Sequence, residues 1–190
     1  MFLQILITKN FYNMKRFYVF ILLMVGLGWS LDAQRLPGLD ASPMDAAAYS
    51  PERGAPTVAK IYYSRPAKKD RDIFGALVPF GQVWRTGANE TPEITFYRDV
   101  KFGGSDVKAG TYTLFTIPGE TEWTIILNSV LNQWGAYGYD NSKDVVRVNG
   151  SVSAPPSHVE NFTMTWEKQD DGSAHLIMAW ENTLVRVPMM

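Results

Sequence analysis

Short runs of β-branched and aromatic residues, each ended by a turn signal, restrict the fold of this 190-residue chain more than any other feature. The run WTIILN, residues 123–128, alternates large apolar side chains with Thr, Ile and Asn, as a strand with one buried face does. NFTMTWE (161–167) reaches AHLIMAWE (174–181) through the turn residues KQDDG, and both runs place apolar side chains at alternate positions. Eight or nine runs of this kind predict an all-β, antiparallel fold.

The predicted architecture is a two-sheet sandwich, jelly-roll-like or immunoglobulin-like. Strands this short need a second sheet against which to bury their apolar faces. Helical spacing is found only in RDIFGALVPFG, residues 71–81, where Gly75 and Pro79 interrupt it. We therefore expect at most one short helix, near residues 72–78.

The first 33 residues have the pattern of a secretory signal peptide. Lys15 and Arg16 precede an apolar run, residues 17–31, and a small residue, Ala33, follows it. The run is shorter than the ~20 residues that span a membrane. Cleavage after residue 33 is therefore predicted, with an uncleaved membrane anchor as the alternative. Met14 directly precedes the basic pair and is therefore a better start for the predicted signal peptide than Met1.

The rest of the chain divides into a tether and one domain. Residues 34–56 are rich in Ala, Pro, Gly and Ser without a sustained period, and we predict a linker there. Residues 57–190 are predicted to form a single β-sandwich domain.

Charge and cysteine content exclude several classes of partner. Without residues 1–33 the net charge is about −3, and the basic residues are scattered apart from KKDR at 68–71, so no nucleic-acid surface is predicted. The absence of cysteine excludes disulfides, thiolate chemistry and a lipoprotein anchor, and two histidines are too few for the usual transition-metal site. We predict a soluble periplasmic or secreted protein with no metal, no cofactor and no membrane span after cleavage.

Three long blocks carry a resemblance to a known family. They are YSRPAKKDRDIFGALVPFGQVWRTGANE, KAGTYTLFTIPGETEWTIILN and NQWGAYGYDNSKDVVRV. These blocks resemble domain-of-unknown-function family 2911, found in exported proteins of Bacteroidetes-type bacteria, over roughly residues 42–188. Two positions depart from the pattern: Asp70 stands where a glycine is expected, and Pro92 follows GANET. The resemblance implies an exported protein of β architecture, with no established activity.

The stretch GQVWRTGANE, residues 81–90, is the first candidate site. Its glycines permit backbone angles closed to other residues, so a tight loop can direct several polar side chains to one side. Arg85 would donate hydrogen bonds from its planar guanidinium to a carboxylate, phosphate or sugar hydroxyl. Trp84 would provide a flat surface for stacking, and Asn89 and Glu90 would orient the ligand. Arg65, in the same block, is added to this set. In the alternative interpretation Arg85 pairs with Glu90 or another acid, and Trp84 belongs to the core.

The stretch QWGAYGYDNSKD, residues 133–144, is the second candidate. Trp134 and Tyr137 beside Asp140 are materials of carbohydrate binding, since aromatic faces stack on sugar rings while carboxylates bond hydroxyls. In the alternative interpretation these rings cover a sheet edge. DNSKD lacks the glycine and the terminal glutamate of the known calcium-loop pattern, which argues against a calcium site.

Together the two segments predict a protein that binds a small polar or carbohydrate-like ligand through loops. One alternative is a glycan hydrolase with Glu90 as acid or base, paired with Asp140 or Asp144. The other is a non-catalytic envelope protein that presents its sheet edge to a protein partner. The main hypothesis requires that the two segments meet in space and keep hydrogen-bonding capacity free for a ligand.

Overall fold

The computed structural model describes residues 36–190, and the predicted signal peptide, residues 1–33, therefore lies outside the described residues. Residues 36–39 belong to a unit separate from residues 40–190, and everything below concerns the second unit. Its strands are β1 (Met44–Tyr49), β2 (Ala59–Ser64), β3 (Glu93–Phe96), β4 (Val100–Phe102), β5 (Ser105–Val107), β6 (Gly110–Ile117), β7 (Glu122–Asn128), β8 (Asp144–Ser153), β9 (Val159–Lys168), β10 (Ala174–Glu181) and β11 (Thr183–Met189).

The strands form one antiparallel sheet in the order β1-β2-β3-β6-β7-β8-β11-β10-β9, and the β4–β5 hairpin joins β11. The all-β, antiparallel prediction is confirmed. The division into two separate sheets is not confirmed, because β8 belongs to two ladders: its residues Asp144–Ser151 pair with β7, and Val152 and Ser153 pair with β11. Hydrogen bonding thus continues from one end of the sheet to the other.

The sheet curls until its two ends meet, which gives a shape close to a barrel. Beyond β2 the chain continues beside β9, where Phe162 N donates to Pro66 O at 2.9 Å and Lys68 N donates to Glu160 O at 2.7 Å. The Tyr63 hydroxyl, on β2, donates to Met164 O at 3.0 Å. We call the contacts between residues 63–68 and β9 the seam.

The alternation seen in the sequence matches the observed core. Trp123, Ile125 and Leu127 of β7 point into one buried cluster. The predicted apolar positions of β9 and β10 join it, with Trp166 packed at its margin. The long apolar faces of these strands are therefore covered by the opposite wall of the same curled sheet.

The structure differs from the prediction in two segments. The predicted linker, 34–56, contains β1, which pairs with β2 along its whole length, so the sheet begins before residue 57. Residues 72–78 form turns closed by a bridge between Phe74 and Val78, in place of a short helix. In the described part of the chain, helical geometry is confined to a 3-10 turn, Asn141–Lys143. No helix within residues 36–190 is long and apolar enough to cross a membrane.

Gly150 should be sensitive to substitution, because it lies where β8 changes from one ladder to the other. A Cβ atom there would come within 2.7 Å of Val185 Cγ1 and 3.0 Å of Ile125 Cδ1. We expect Gly150→Ala to lower the free energy of unfolding by about 1–3 kcal/mol through overpacking. Ser151→Ala, at the exposed next residue, should change it by less than about 0.5 kcal/mol in the same urea titration. Equal effects would contradict this account of β8.

The seam can be tested with two adjacent tyrosines. Tyr63→Phe removes the donor to Met164 O inside the buried seam, and should lower the free energy of unfolding by about 1–2 kcal/mol. Tyr62→Phe is the matched control, because Tyr62 is 47% exposed and faces away from the core. Unfolding followed by tryptophan fluorescence would measure both; indistinguishable values would show that the Tyr63 bond does not stabilise the seam.

Candidate functional site

The two candidate segments lie side by side. Glu90 and Trp134 form an antiparallel bridge, and Gly135 N donates to Asn89 O at 3.2 Å. The Thr91 hydroxyl adds a bond of 2.6 Å to Gly135 O. The ligand hypothesis requires these segments to meet, and their backbones do meet.

The loop that contains Arg85 is held in an unusual backbone conformation. Thr86 and Asn89 have φ angles of 59° and 55°, in the left-handed region that β-branched residues such as threonine rarely adopt. Trp84 exchanges two backbone bonds with Thr116 of β6, and the buried Thr86 hydroxyl lies 3.0 Å from the Thr116 hydroxyl. Contacts with β6 therefore fix the loop in a conformation that it would not adopt alone.

Gly87 shows how closely the loop approaches β2. Its φ is 149°, and a Cβ atom would come within 3.0 Å of the Ser64 carbonyl oxygen. A larger residue would be strained and would push the loop away from the sheet. The glycine therefore sets the position of its neighbours Arg85 and Asn89.

A cavity of about 450 Å³ lies beside this loop. Three predicted residues line it: Trp84, Arg85 and Asn89. The remaining lining residues come from the stretch before β1, the stretch after β2, the turns near residue 78, β10 and the loop itself; they are Ser42, Pro66, Arg71, Leu77, Val78, Gly87, Ala88 and Trp180. We call this space the Arg85 cavity.

Arg85 has no partner among the residues that the structure describes. Its Nε atom is buried and makes no hydrogen bond, and no ion pair is formed by its guanidinium within residues 36–190. In the alternative interpretation Arg85 was paired with Glu90 or another acid; the structure shows no such pair in this range. Two other buried side-chain nitrogens in the described chain lack partners, those of Trp123 and His175, but neither residue lines the cavity. Arg85 thus lines the cavity with a buried Nε donor that has no acceptor among the described residues.

Arg65 has the opposite environment. Its Nε donates to Phe162 O at 3.1 Å, and its terminal nitrogens bond the Asp45 carboxylate at 3.0 Å and the Thr163 hydroxyl at 2.9 Å. These bonds hold β1 and the end of β2 against β9. Arg65 does not line the Arg85 cavity, and its contacts are those of a structural residue at the seam.

Trp84 is mostly a core residue with an edge on the cavity. Its ring lies 5.3 Å from the Phe162 ring and 6.1 Å from the nearly parallel Trp180 ring, between centroids. Phe74 and Trp123 complete the aromatic cluster around it. This part of the alternative interpretation, Trp84 as core, agrees with the structure, although Trp84 also forms part of the cavity wall.

Asn89 and Glu90 point to different sides of the loop. Asn89 Nδ2 donates to the Asp40 carboxylate at 3.0 Å, so its amide is already engaged at the rim of the Arg85 cavity. Glu90 is exposed and lines another cavity, of about 250 Å³, together with Glu93 and Tyr62. Arg85 and Glu90 are therefore not brought into one site.

The second segment contributes exposed rings and one capping acid. The exposed fractions of Trp134 and Tyr137 are 63% and 90%, and neither ring lines the Arg85 cavity. Asp140 caps the 3-10 turn by accepting a bond from Ser142 N at 2.9 Å. Bonds to Ser142 lower the pKa of Asp140, which keeps the carboxylate ionised in its capping role.

Asp144, the other carboxylate considered with Glu90, is held in a polar network. It accepts bonds from the Tyr139 hydroxyl at 2.7 Å, Arg147 Nε at 2.8 Å and Asn128 Nδ2 at 2.8 Å. Partial burial, followed by the bond to Asp144, raises the pKa of Tyr139 to about 12, so the phenol stays protonated as a donor. The network fastens the second segment to β7 and β8.

Sequence reasoning did not select most of the lining residues, Arg71 and Trp180 among them. Arg71 belongs to the basic run KKDR and is exposed, yet it lines the cavity. The signal available was its place in the same sequence block as Arg85, ten residues before Gly81. Trp180 fitted the alternation of a core strand, and no local feature distinguished it.

No group of three or more His, Asp or Glu residues in the described chain is arranged to hold a metal ion. A third cavity, beside the β4–β5 hairpin, has its charges already paired: Lys108 with Asp99 at 2.7 Å and Lys101 with Asp106 at 3.0 Å. Among these three cavities, the Arg85 cavity is distinguished by an arginine with free donors.

The two tryptophans proposed as stacking platforms should differ in their effect on stability. Trp84→Ala removes a ring packed against four aromatic neighbours, and should lower the free energy of unfolding by about 2–4 kcal/mol. Trp134→Ala removes an exposed ring and should cost less than about 1 kcal/mol. Chemical denaturation followed by far-UV circular dichroism would measure both, and a small loss for Trp84→Ala would contradict its place in the core.

Comparison with known proteins gives a family and no activity. The profile of the family described as "Protein of unknown function (DUF2911)" matches residues 42–189, which include the whole curled sheet and the Arg85 cavity. No curated protein and no solved structure matches the chain significantly. The chain belongs to the DUF2911 family.

Proposed function

We propose that this protein is an exported binding protein, periplasmic or secreted, that holds a small polar or carbohydrate-like ligand in the Arg85 cavity. Export is supported by the basic residues and apolar run within residues 1–33 and by the absence of cysteine throughout the sequence. Binding is supported by the cavity and its free arginine. The same proposal includes the statement that this family occurs in exported proteins of Bacteroidetes-type bacteria.

The observation that carries the proposal is the buried Nε of Arg85, which has no acceptor within residues 36–190 and belongs to the wall of a cavity of about 450 Å³. A buried donor without a partner costs about 1–3 kcal/mol, and a ligand that accepts its hydrogen bond recovers this cost. The volume lies within the range of small-molecule sites. In the same domain the Nε and both terminal nitrogens of Arg65 donate hydrogen bonds to protein acceptors. The fold therefore supplies acceptors to an arginine that holds strands together.

The walls of the cavity suit a ligand with both polar and apolar surface. Trp84 supplies aromatic surface and Leu77 supplies aliphatic surface, while Trp180 and Val78 lie almost fully buried behind the wall. Arg85 supplies a planar array of donors that matches carboxylate, phosphate or vicinal hydroxyl oxygens. Sugars and their derivatives have this combination of apolar C–H faces and polar edges.

Binding is favoured over glycan hydrolysis. A hydrolase needs a second carboxylate ~5 Å or ~6.5–9.5 Å from the first, across the bond to be cleaved. Asp140 caps a turn and Asp144 is bonded to three side chains, and neither lines the cavity to which Glu90 contributes. The alternative of an envelope protein requires an open sheet edge that a protein partner can contact. The edge strand β9 is partly covered, because backbone groups at the seam already bond to it.

Arg85→Gln tests the proposal. We expect glucose, glucuronate or glucose 6-phosphate to raise the melting temperature of the full chain, and Arg85→Gln to abolish that rise, because its amide cannot replace the fork of donors. The unliganded melting temperature should stay within a few degrees, because Arg85 makes no internal bond that would be lost.

Arg98→Gln is the control, since Arg98 is exposed and does not line the Arg85 cavity. It should leave every ligand-induced shift unchanged in the same differential scanning fluorimetry. If Arg85→Gln unfolds the protein, or if ligand-induced shifts persist in it, the guanidinium is structural and the proposal is wrong.

A further inference from the structure

We propose that the ligand of the Arg85 cavity carries an anionic group, a carboxylate or a phosphate, which Arg85 and Arg71 hold together. The inference rests on the proposed function and adds the chemical class of the ligand. It follows from the charge of the cavity wall and from how each arginine uses its donors.

The wall of the cavity is positively charged. Of its eleven lining residues two are arginines, Arg71 and Arg85, and none is Asp or Glu. Two guanidiniums that face a common space repel each other unless an anion lies between them or solvent screens them. Solvent screens the exposed Arg71 more than the half-buried Arg85, and an anion between them would relieve the repulsion that remains.

Arg71 keeps its charge although two of its donors are used. Its Nε donates to Lys68 O at 3.0 Å, and one terminal nitrogen donates to Ala67 O. Both acceptors are neutral backbone carbonyls, which fix the guanidinium in place without neutralising it. The exposed Arg71 therefore adds a positioned positive charge to the cavity wall, and Arg85 adds a buried Nε donor with no acceptor among the described residues.

Two acids close to lining residues already have partners. Asp40 accepts bonds from Ser42 N at 2.7 Å and from Asn89 Nδ2 at 3.0 Å, so its carboxylate is held at the rim by the residues next to the cavity. Glu181, which follows Trp180, forms an ion pair with Lys68 at 3.5 Å. The lining residues themselves therefore carry two positive charges and no negative one.

A neutral ligand would use this arrangement less well than an anion. Hydroxyl groups can accept from Arg85, but they leave the charges of both guanidiniums uncompensated. A carboxylate or phosphate accepts two parallel bonds from one guanidinium and is attracted by the other. The cavity should therefore discriminate between a sugar and its acidic derivative.

Three probes that share one pyranose ring test this inference: glucose, glucuronate and glucose 6-phosphate, with inorganic phosphate as a fourth probe without the ring. Isothermal titration calorimetry on the full chain would measure their dissociation constants. We expect at least one acidic sugar to bind about tenfold or more tightly than glucose, as charge-assisted bonds predict. The carboxylate and phosphate probes show which of the two anions is preferred, and inorganic phosphate shows whether the ring contributes.

Arg71→Gln and Arg85→Gln should each reduce this preference to less than about threefold, and Arg98→Gln should leave it intact. If glucose binds as tightly as both acidic sugars and its binding depends on Arg85, the anion inference is wrong and the proposed binding function stands. If no probe binds, or if binding is the same in Arg85→Gln and the unsubstituted protein, both proposals are wrong.

Discussion

The seam, where the chain after β2 meets β9, is the contact on which the rest of the structure depends. A sheet of this length would otherwise have two open edges, each with unpaired backbone groups that favour aggregation. Here Pro66 and Lys68 supply backbone partners to β9, while Tyr63 and Arg65 bond its carbonyls with side chains. The side-chain bonds matter because β2 and β9 form no regular ladder with each other.

The Arg85 cavity is a consequence of the seam. Pro66 and Arg71 on one side belong to the chain that has just crossed to β9, and Trp180 on the other side belongs to β10, the neighbour of β9. The strained loop with Gly87 closes the space between them. A cavity built at the junction of two sheet ends is lined by residues distant in sequence, and its shape is fixed by the same bonds that close the sheet.

Period-two alternation made the core predictable, because burial on one face of a strand leaves a direct mark on the sequence. The strand β1 left no such mark: its residues 46–48 are all alanine, and it is held by backbone pairing with β2 and by Trp166 Nε1, which donates to Ala47 O at 3.3 Å. The continuity of the sheet through β8 was also hidden, since a change of pairing partner within one strand does not alter its composition. The ligand hypothesis required the two candidate segments to meet. The separation of Arg85 from Glu90 could not be predicted, because it depends on the direction in which each side chain leaves a loop that contains left-handed residues.

Arg65 and Arg85 show why residue type alone does not identify a site. Both follow a short stretch of aromatic and apolar residues, and both were candidates on the same chemical grounds. Arg65 lies at the seam, where Asp45, Phe162 and Thr163 accept its donors, and its charge is used to hold three strands together. Arg85 lies in a different loop, whose backbone is fixed by bonds to Thr116 and by the close approach of Gly87. No described residue accepts a hydrogen bond from its Nε. Because Thr116 and Gly87 position the loop without a bond from Arg85, we propose that the guanidinium serves ligand binding, and a ligand that accepts its hydrogen bond would compensate its desolvation.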